Sequence, residues 1–176
     1  DYTTTGTWAY ENGLKCTADG AITVSPIQPL GAATYGATAT INCPPPAGVS
    51  VKFYYDEASD LYIEFDRITI AAGAATRVRV WNNGVQIGGS WFTQRPSIPV
   101  RWCWDGTALY AAWDGWFIAS TNPFTYAMCI AATPTANQPK LSVTGLSGGS
   151  SIVVTQVGAV KDKDDIGAAA ECLTCG

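Results

Sequence analysis

The chain of 176 residues carries ten basic and fourteen acidic side chains, for a formal net charge of −4, and no histidine. One well-filled core fits this length. The scattered basic residues leave no electrostatic footprint for nucleic acid or an anionic membrane, and without histidine the chain holds no Ser-His or Cys-His nucleophile pair.

Charged residues are only 14% of the chain, against seven Trp and eight Tyr, a composition that is globular rather than disordered. No apolar run approaches the roughly 20 residues that a membrane-spanning helix needs. The opening residues, Asp1 to Thr7, lack the basic and apolar regions of a signal peptide.

Five Asx-Gly dipeptides punctuate the sequence: Asn12-Gly13, Asp19-Gly20, Asn83-Gly84, Asp105-Gly106 and Asp114-Gly115. Two-residue hairpin loops need φ > 0 at both central positions and therefore favour this pair. Leu14, Cys16 and the run Ala21 to Val24 read as short strands, whereas Pro26 and Pro29 make Ser25 to Gly36 a loop or an edge. Thr38 to Cys43 is a strand stopped by three prolines, and another runs from near Val49 to Tyr55.

The next hairpin can be placed in register. Leu61, Ile63 and Phe65 alternate with Tyr62, Glu64 and Asp66, and Val78 and Val80 alternate with Arg77 and Arg79. Pairing Glu64 with Arg79 and Asp66 with Arg77 puts the apolar residues on one face and builds a charge ladder on the other. The loop Thr69 to Ala75 is expected to close this hairpin, and Asn83-Gly84 turns the chain into Val85 to Ile87, with Gly88-Gly89 ending that strand.

Val100 to Trp104, Thr107 to Trp113 and Trp116 to Ala119 read as a three-stranded meander. Two-residue turns predict Trp102 opposite Leu109 and Ala112 opposite Phe117. Val100, Trp102, Trp104, Leu109, Ala111 and Ile118 would then share a face, with Arg101, Cys103, Tyr110 and Ala112 on the other. Leu141 to Val143 and Ser151 to Val160 supply the last strands. The expected organisation is one domain over residues 1–160 and a charged, cysteine-containing tail over 161–176, where Ile166 to Leu173 is expected to form a short helical turn. No amphipathic helix of ordinary length is present, and many short strands at turn-marked intervals indicate a sandwich or barrel.

The series Val51-Lys52-Phe53-Tyr54-Tyr55, Leu61 to Phe65, Arg77 to Gly84, Val100 to Gly106 and Leu109 to Gly115, closed by Ser151 to Val160, resembles the concanavalin A-like lectin and laminin-G-like superfamily. That resemblance spans most of the chain and implies an all-β, two-sheet antiparallel jelly-roll β-sandwich. It speaks to fold more than to function, because sandwiches host many roles.

Six cysteines, an even number, suit an oxidising, extracellular or virion-surface setting. Joining Cys16 to Cys43 and Cys103 to Cys129 would link segments read as neighbouring strands. Cys172 and Cys175 form a CxxC, read as a short terminal disulfide or as links to a following segment, since zinc would need four ligands and no second CxxC exists.

Some enzymes of the superfamily use paired carboxylates on one strand, and Glu64 with Asp66 resembles the start of the laminarinase signature Glu-x-Asp-x-x-Glu. Thr69 stands where the second Glu is required, which removes the proton donor that glycoside hydrolysis needs. The expectation is therefore a non-enzyme, with no cofactor required. Relatives in the superfamily imply a possible calcium ion, for which Asp56, Glu57, Asp60, Asp105 and Asp114 offer oxygen ligands.

The richer material is aromatic. Trp81, Trp91, Trp113 and Trp116, with Tyr54, Tyr62 and Tyr110, can stack on sugar rings while Asn82, Asn83 or Gln86 hydrogen-bond hydroxyls. Core packing is the competing explanation for each ring, and it is the favoured one for Trp102 and Trp104. Two readings result: adhesion or glycan binding, or a self-associating subunit of a fibre, appendage or shell, in which Tyr2 to Thr7 adds to a strand edge.

Overall fold

The computed structural model describes residues 2–24, 35–92, 96–104, 109–115, 124–130 and 138–160. Its strands are β1 (Tyr2–Thr5), β2 (Trp8–Tyr10), β3 (Leu14–Cys16), β4 (Gly20–Val24), β5 (Tyr35–Asn42), β6 (Ser50–Asp56), β7 (Leu61–Ile70), β8 (Gly73–Asn82), β9 (Val85–Phe92), β10 (Ser97–Trp104), β11 (Leu109–Gly115), β12 (Phe124–Ile130), β13 (Lys140–Thr144) and β14 (Ile152–Val160). They form two seven-stranded sheets, ordered β1-β4-β13-β6-β7-β8-β9 and β12-β11-β10-β5-β14-β3-β2. Neighbours pair antiparallel throughout, so the expected all-β sandwich is the observed fold.

Strand alternation builds the core. Val51, Phe53, Ile63, Phe65, Val78 and Val80 of the first sheet meet Ile41, Ile98, Val100, Trp102, Leu109 and Trp113 of the second. Two buried indoles tie the layers together, because a Trp N–H removed from water needs an acceptor. Trp102 Nε1 donates to the Phe53 carbonyl at 2.9 Å, and Trp113 Nε1 donates to Ser90 Oγ at 3.1 Å.

The charge ladder falls in the register read from the sequence, with Glu64 opposite Arg79 and Asp66 opposite Arg77. The Asn83-Gly84 turn is also as expected, with φ of 49° and 80°. The loop expected over Thr69 to Ala75 is shorter, because the ladder continues to Ile70 opposite Gly73 and leaves Ala71 and Ala72 as the turn. Likewise β9 does not stop at Gly88-Gly89. A Cβ at Gly88 would lie 2.6 Å from Met128 Sδ and one at Gly89 2.5 Å from the Val78 carbonyl oxygen, so both glycines serve close approach within a strand.

The meander departs from expectation in register. Trp102 lies opposite Ala111 and Trp104 opposite Leu109, with four residues rather than two between the strands. Asp114-Gly115 is no turn. It belongs to β11, whose seven-residue ladder with β12 outweighs the local turn signal and places Ala112 opposite Ala127 instead of Phe117. Asp19-Gly20 is a corner, leading from β3 in the second sheet to β4 in the first.

The expected Cys16–Cys43 bridge is absent, and both are buried free thiols. The reason is topological: β14 inserts between β3 and β5, and Cys16 is aligned with Ile152 of β14 rather than with β5. Two strand spacings of about 4.8 Å exceed the reach of a disulfide, about 7 Å between Cα atoms. Cys129 is disulfide-bonded, and the side chain of Cys103, its expected partner, lies outside the described residues. Cys172, Cys175 and the helical turn expected from Ile166 to Leu173 lie outside the described residues.

Candidate binding face

On the outer face of the first sheet, one cross-strand row runs Lys140, Tyr54, Tyr62, Trp81 and Gln86 over β13, β6, β7, β8 and β9. Period-two alternation puts these side chains opposite the core. Tyr54 and Tyr62 have ring centroids 5.0 Å apart, and Tyr62 stacks on Trp81 at 6.4 Å with 24° between the planes. Cations cover part of the row: Lys52 Nζ lies 4.7 Å from the Tyr62 centroid, and the Arg79 guanidinium carbon lies 5.2 Å from that of Trp81.

Beside the aromatic row lies the ladder. Glu64 accepts from Arg79 Nη2 at 2.7 Å, from Trp81 Nε1 at 3.2 Å and from Ser50 Oγ at 2.8 Å. Asp66 accepts from Arg77 through both Nε and Nη2, and from Arg79 Nη2 at 3.2 Å. Hydrogen bonding to Asp66 raises the Arg77 pKa, and burial followed by the Glu64 charge raises that of Tyr62. Among the described residues Arg79 Nε is a buried donor without a partner.

The ladder ends in an open groove of about 310 Å³, lined by Arg77, Arg79, Gln86, Gly89, Ser90 and Trp91. Trp91 stands opposite Arg77 and is 42% exposed. Gly89, opposite Arg79, leaves the gap between Gln86 and Trp91 unfilled. A second groove, of about 260 Å³ beside Tyr2, Tyr10 and Gln156, contains no charged group and none of the expected binding residues.

Of the residues singled out in the sequence, the β8–β9 hairpin brings together Trp81, Gln86 and Trp91. Asn82 has the opposite parity, facing the same way as its partner Leu61, and Asn83 occupies the turn, its N–H donating to the Asp60 carbonyl. Trp113 is core, 1% exposed, because the register of β10 and β11 sets it opposite Val100. Tyr110 is buried on the other sheet, and Trp116 lies outside the described residues. Lys52, Arg79 and Gly89 were not chosen from the sequence as site residues. Strand parity could have found the first two, but the gap at Gly89 depends on the full extent of β9.

No family model matches the chain, and no curated protein does. Solved structures match over nearly its whole length. The CBM2 module of the evolved Dit of Lactobacillus casei BL23 phage J-1 superposes with a TM-score of 0.53 at 10% identity, covering 88% of this chain and 77% of that one. The exoplasmic/lumenal domain of VIP36 in its Ca2+/Man-bound form gives 0.52 at 12% identity, with 88% and 82% covered. A functionally unknown protein from Saccharomyces cerevisiae gives 0.50 at 8% identity, with 92% and 95% covered.

The chain has a two-sheet, concanavalin A-like jelly-roll β-sandwich fold.

Within this sandwich, the described carboxylates expected to offer calcium ligands are engaged locally. Asp56 caps the 3₁₀ turn Glu57–Ser59, accepting from Ala58 N–H and Ser59 Oγ. Glu57 pairs with Lys140 at 2.8 Å. Asp60 holds a left-handed conformation, φ 48°, at the end of that turn. Among the described residues no cluster of three or more His, Cys, Asp or Glu is placed to hold a metal. The side chains of Asp105 and Asp114 lie outside that description.

Proposed function

We propose that this protein is a non-catalytic, extracellular or virion-surface module that binds a glycan on the outer face of its first sheet. The observation that carries the reading is Trp91, a half-exposed ring standing over an open groove whose walls are Arg77, Arg79 and the exposed Gln86. An apolar platform beside a few fixed polar groups is the arrangement that orients a sugar ring and its hydroxyls. The fold is compatible with this use, since structures sharing it include a CBM2 module and a Ca2+/Man-bound domain.

The test is glycan-array binding by the protein with its mass measured in solution. A monomer with sugar-dependent signal, lost at least tenfold in Trp91→Ala while the fold is intact, supports the proposal. A signal indifferent to Trp91 would falsify it.

A second reading is favoured by the sheet edge. Strand β9 ends the first sheet and exposes Val85 (63%), Ile87 (37%) and Trp91 along its length, an edge that a neighbouring copy could cover in a fibre or shell. A sugar-blind polymer would favour it. A hydrolase comes third, because Glu64 and Asp66 are both tied to arginines and Thr69 replaces the acid.

A further inference from the structure

The charge ladder is not symmetrical across the sheet. From β7 through β8 to β9 its two rows run Glu64, Arg79, Gly89 and Asp66, Arg77, Trp91. The acids are the covered end, with side chains 12% exposed at Glu64 and 19% at Asp66, whereas Arg79 and Arg77 are 22% and 38% exposed. The groove beside β9 is lined by both arginines and by no carboxylate. A ladder that is neutral as a whole therefore turns its cationic side to the groove.

Each guanidinium is fixed in place yet incompletely used. Arg77 gives Nε and Nη2 to Asp66, Arg79 gives Nη2 to Glu64 and Asp66, and among the described residues neither Nη1 has an acceptor. The Arg79 guanidinium also lies over Trp81, 5.2 Å from the ring centroid, so binding would cost it little rotamer freedom. The next place in its row is Gly89, where no side chain fits, because a Cβ there would lie 2.5 Å from the Val78 carbonyl oxygen. Both arginines have a carboxylate on their β7 side and none on their β9 side.

We infer that the glycan taken by this face is acidic, with a sugar carboxylate seated over Gly89 against the two arginines and the sugar ring on Trp91. This inference rests on the glycan reading and adds the class of sugar. A carboxylate presents two oxygens in one plane, the match to a guanidinium edge, and it repeats on the β9 side what Glu64 and Asp66 do on the β7 side. Gly89 and Trp91 share a face two residues apart, about 6.6 Å, a separation that one uronic-acid ring bridges. Because the arginines are partly open to water, salt weakens the attraction.

The test is binding of the full chain to glucuronic, galacturonic and mannuronic acid oligosaccharides, each paired with its carboxyl-reduced counterpart, alongside a sulfated glucan and a general glycan array. The expected result is that at least one acidic member binds about tenfold or more tightly than its reduced partner, with the difference shrinking as salt rises. Arg77→Gln, with its fold checked by circular dichroism, should bring the two members of that pair together, while Trp91→Ala weakens both. The paired sugars read the inference on the unaltered protein, whatever Arg77→Gln does to folding. Equal binding within every pair, or binding confined to neutral sugars of the array through Trp91, overturns the acidic assignment and leaves the glycan reading standing. A sulfated glucan held as tightly as the best carboxylated sugar also overturns it, and silence from every sugar overturns both.

Discussion

On the outer face of the first sheet, Tyr62, Trp81 and the Glu64–Arg79 ladder are half-buried and bordered by an open groove, whereas on the outer face of the second, Tyr110 and Ala112 are buried outright. The sequence of each strand reflects the difference. Leu61 to Asp66 alternates apolar with polar, as a strand with one wet face does, while Leu-Tyr-Ala-Ala-Trp in β11 is unbroken, as in strands covered on both sides. A continuous apolar run in an antiparallel sheet is thus a sign that something lies over it. Matched substitutions on the two faces should show the contrast.

The largest expected difference is between tyrosines. Tyr110→Ala should lower the free energy of unfolding by about 3 kcal/mol, as for a buried aromatic, and Tyr62→Ala by only about 1 kcal/mol. Urea unfolding measures both, and equal losses would erase the distinction between a covered and an open face. A smaller effect is expected from Glu64→Gln, about 1 kcal/mol, because charge-assisted hydrogen bonds from Arg79 and Trp81 become neutral ones. The carboxylate is mostly shielded, so raising salt should shrink the loss without abolishing it. An unchanged midpoint for this variant would mean the ladder contributes nothing.

How much of this could be read beforehand depended on whether structure was local. The β7–β8 register followed from alternation, since a slip of one residue would bury Glu64 and expose Ile63. The Asn83-Gly84 turn followed from its φ requirements. The same turn rule misplaced the strands beyond Trp104, because Asp114-Gly115 pairs with β12 and the Asp105-Gly106 connection is longer than two residues. Cysteine pairing was beyond reach for another reason: β13 and β14 return from the far end of the chain to insert between strands that look adjacent in sequence order. Trp91 and Gln86 were picked for composition, and they meet because β9 continues through two glycines.

The smallest expected effect is at an interior thiol. Cys43 is buried, and burial pushes its thiol up to about 12 from 9.0, against a smaller opposing hydrogen bond with Thr76. The folded state therefore holds this proton more tightly than the unfolded chain, so its contribution to stability is intact below pH 9 and is lost as pH climbs from 9 toward 12. At pH 9.5 the loss should be under about 1 kcal/mol. It should vanish in Cys43→Ala, leaving the raised pKa values of Tyr54 and Tyr62 to weaken the fold at higher pH in the same direction. Urea midpoints between pH 7 and 9.5 measure the difference. A wild-type profile no steeper than that of Cys43→Ala would show that Cys43 titrates alike in the folded and unfolded chains, as a solvent-reached thiol would.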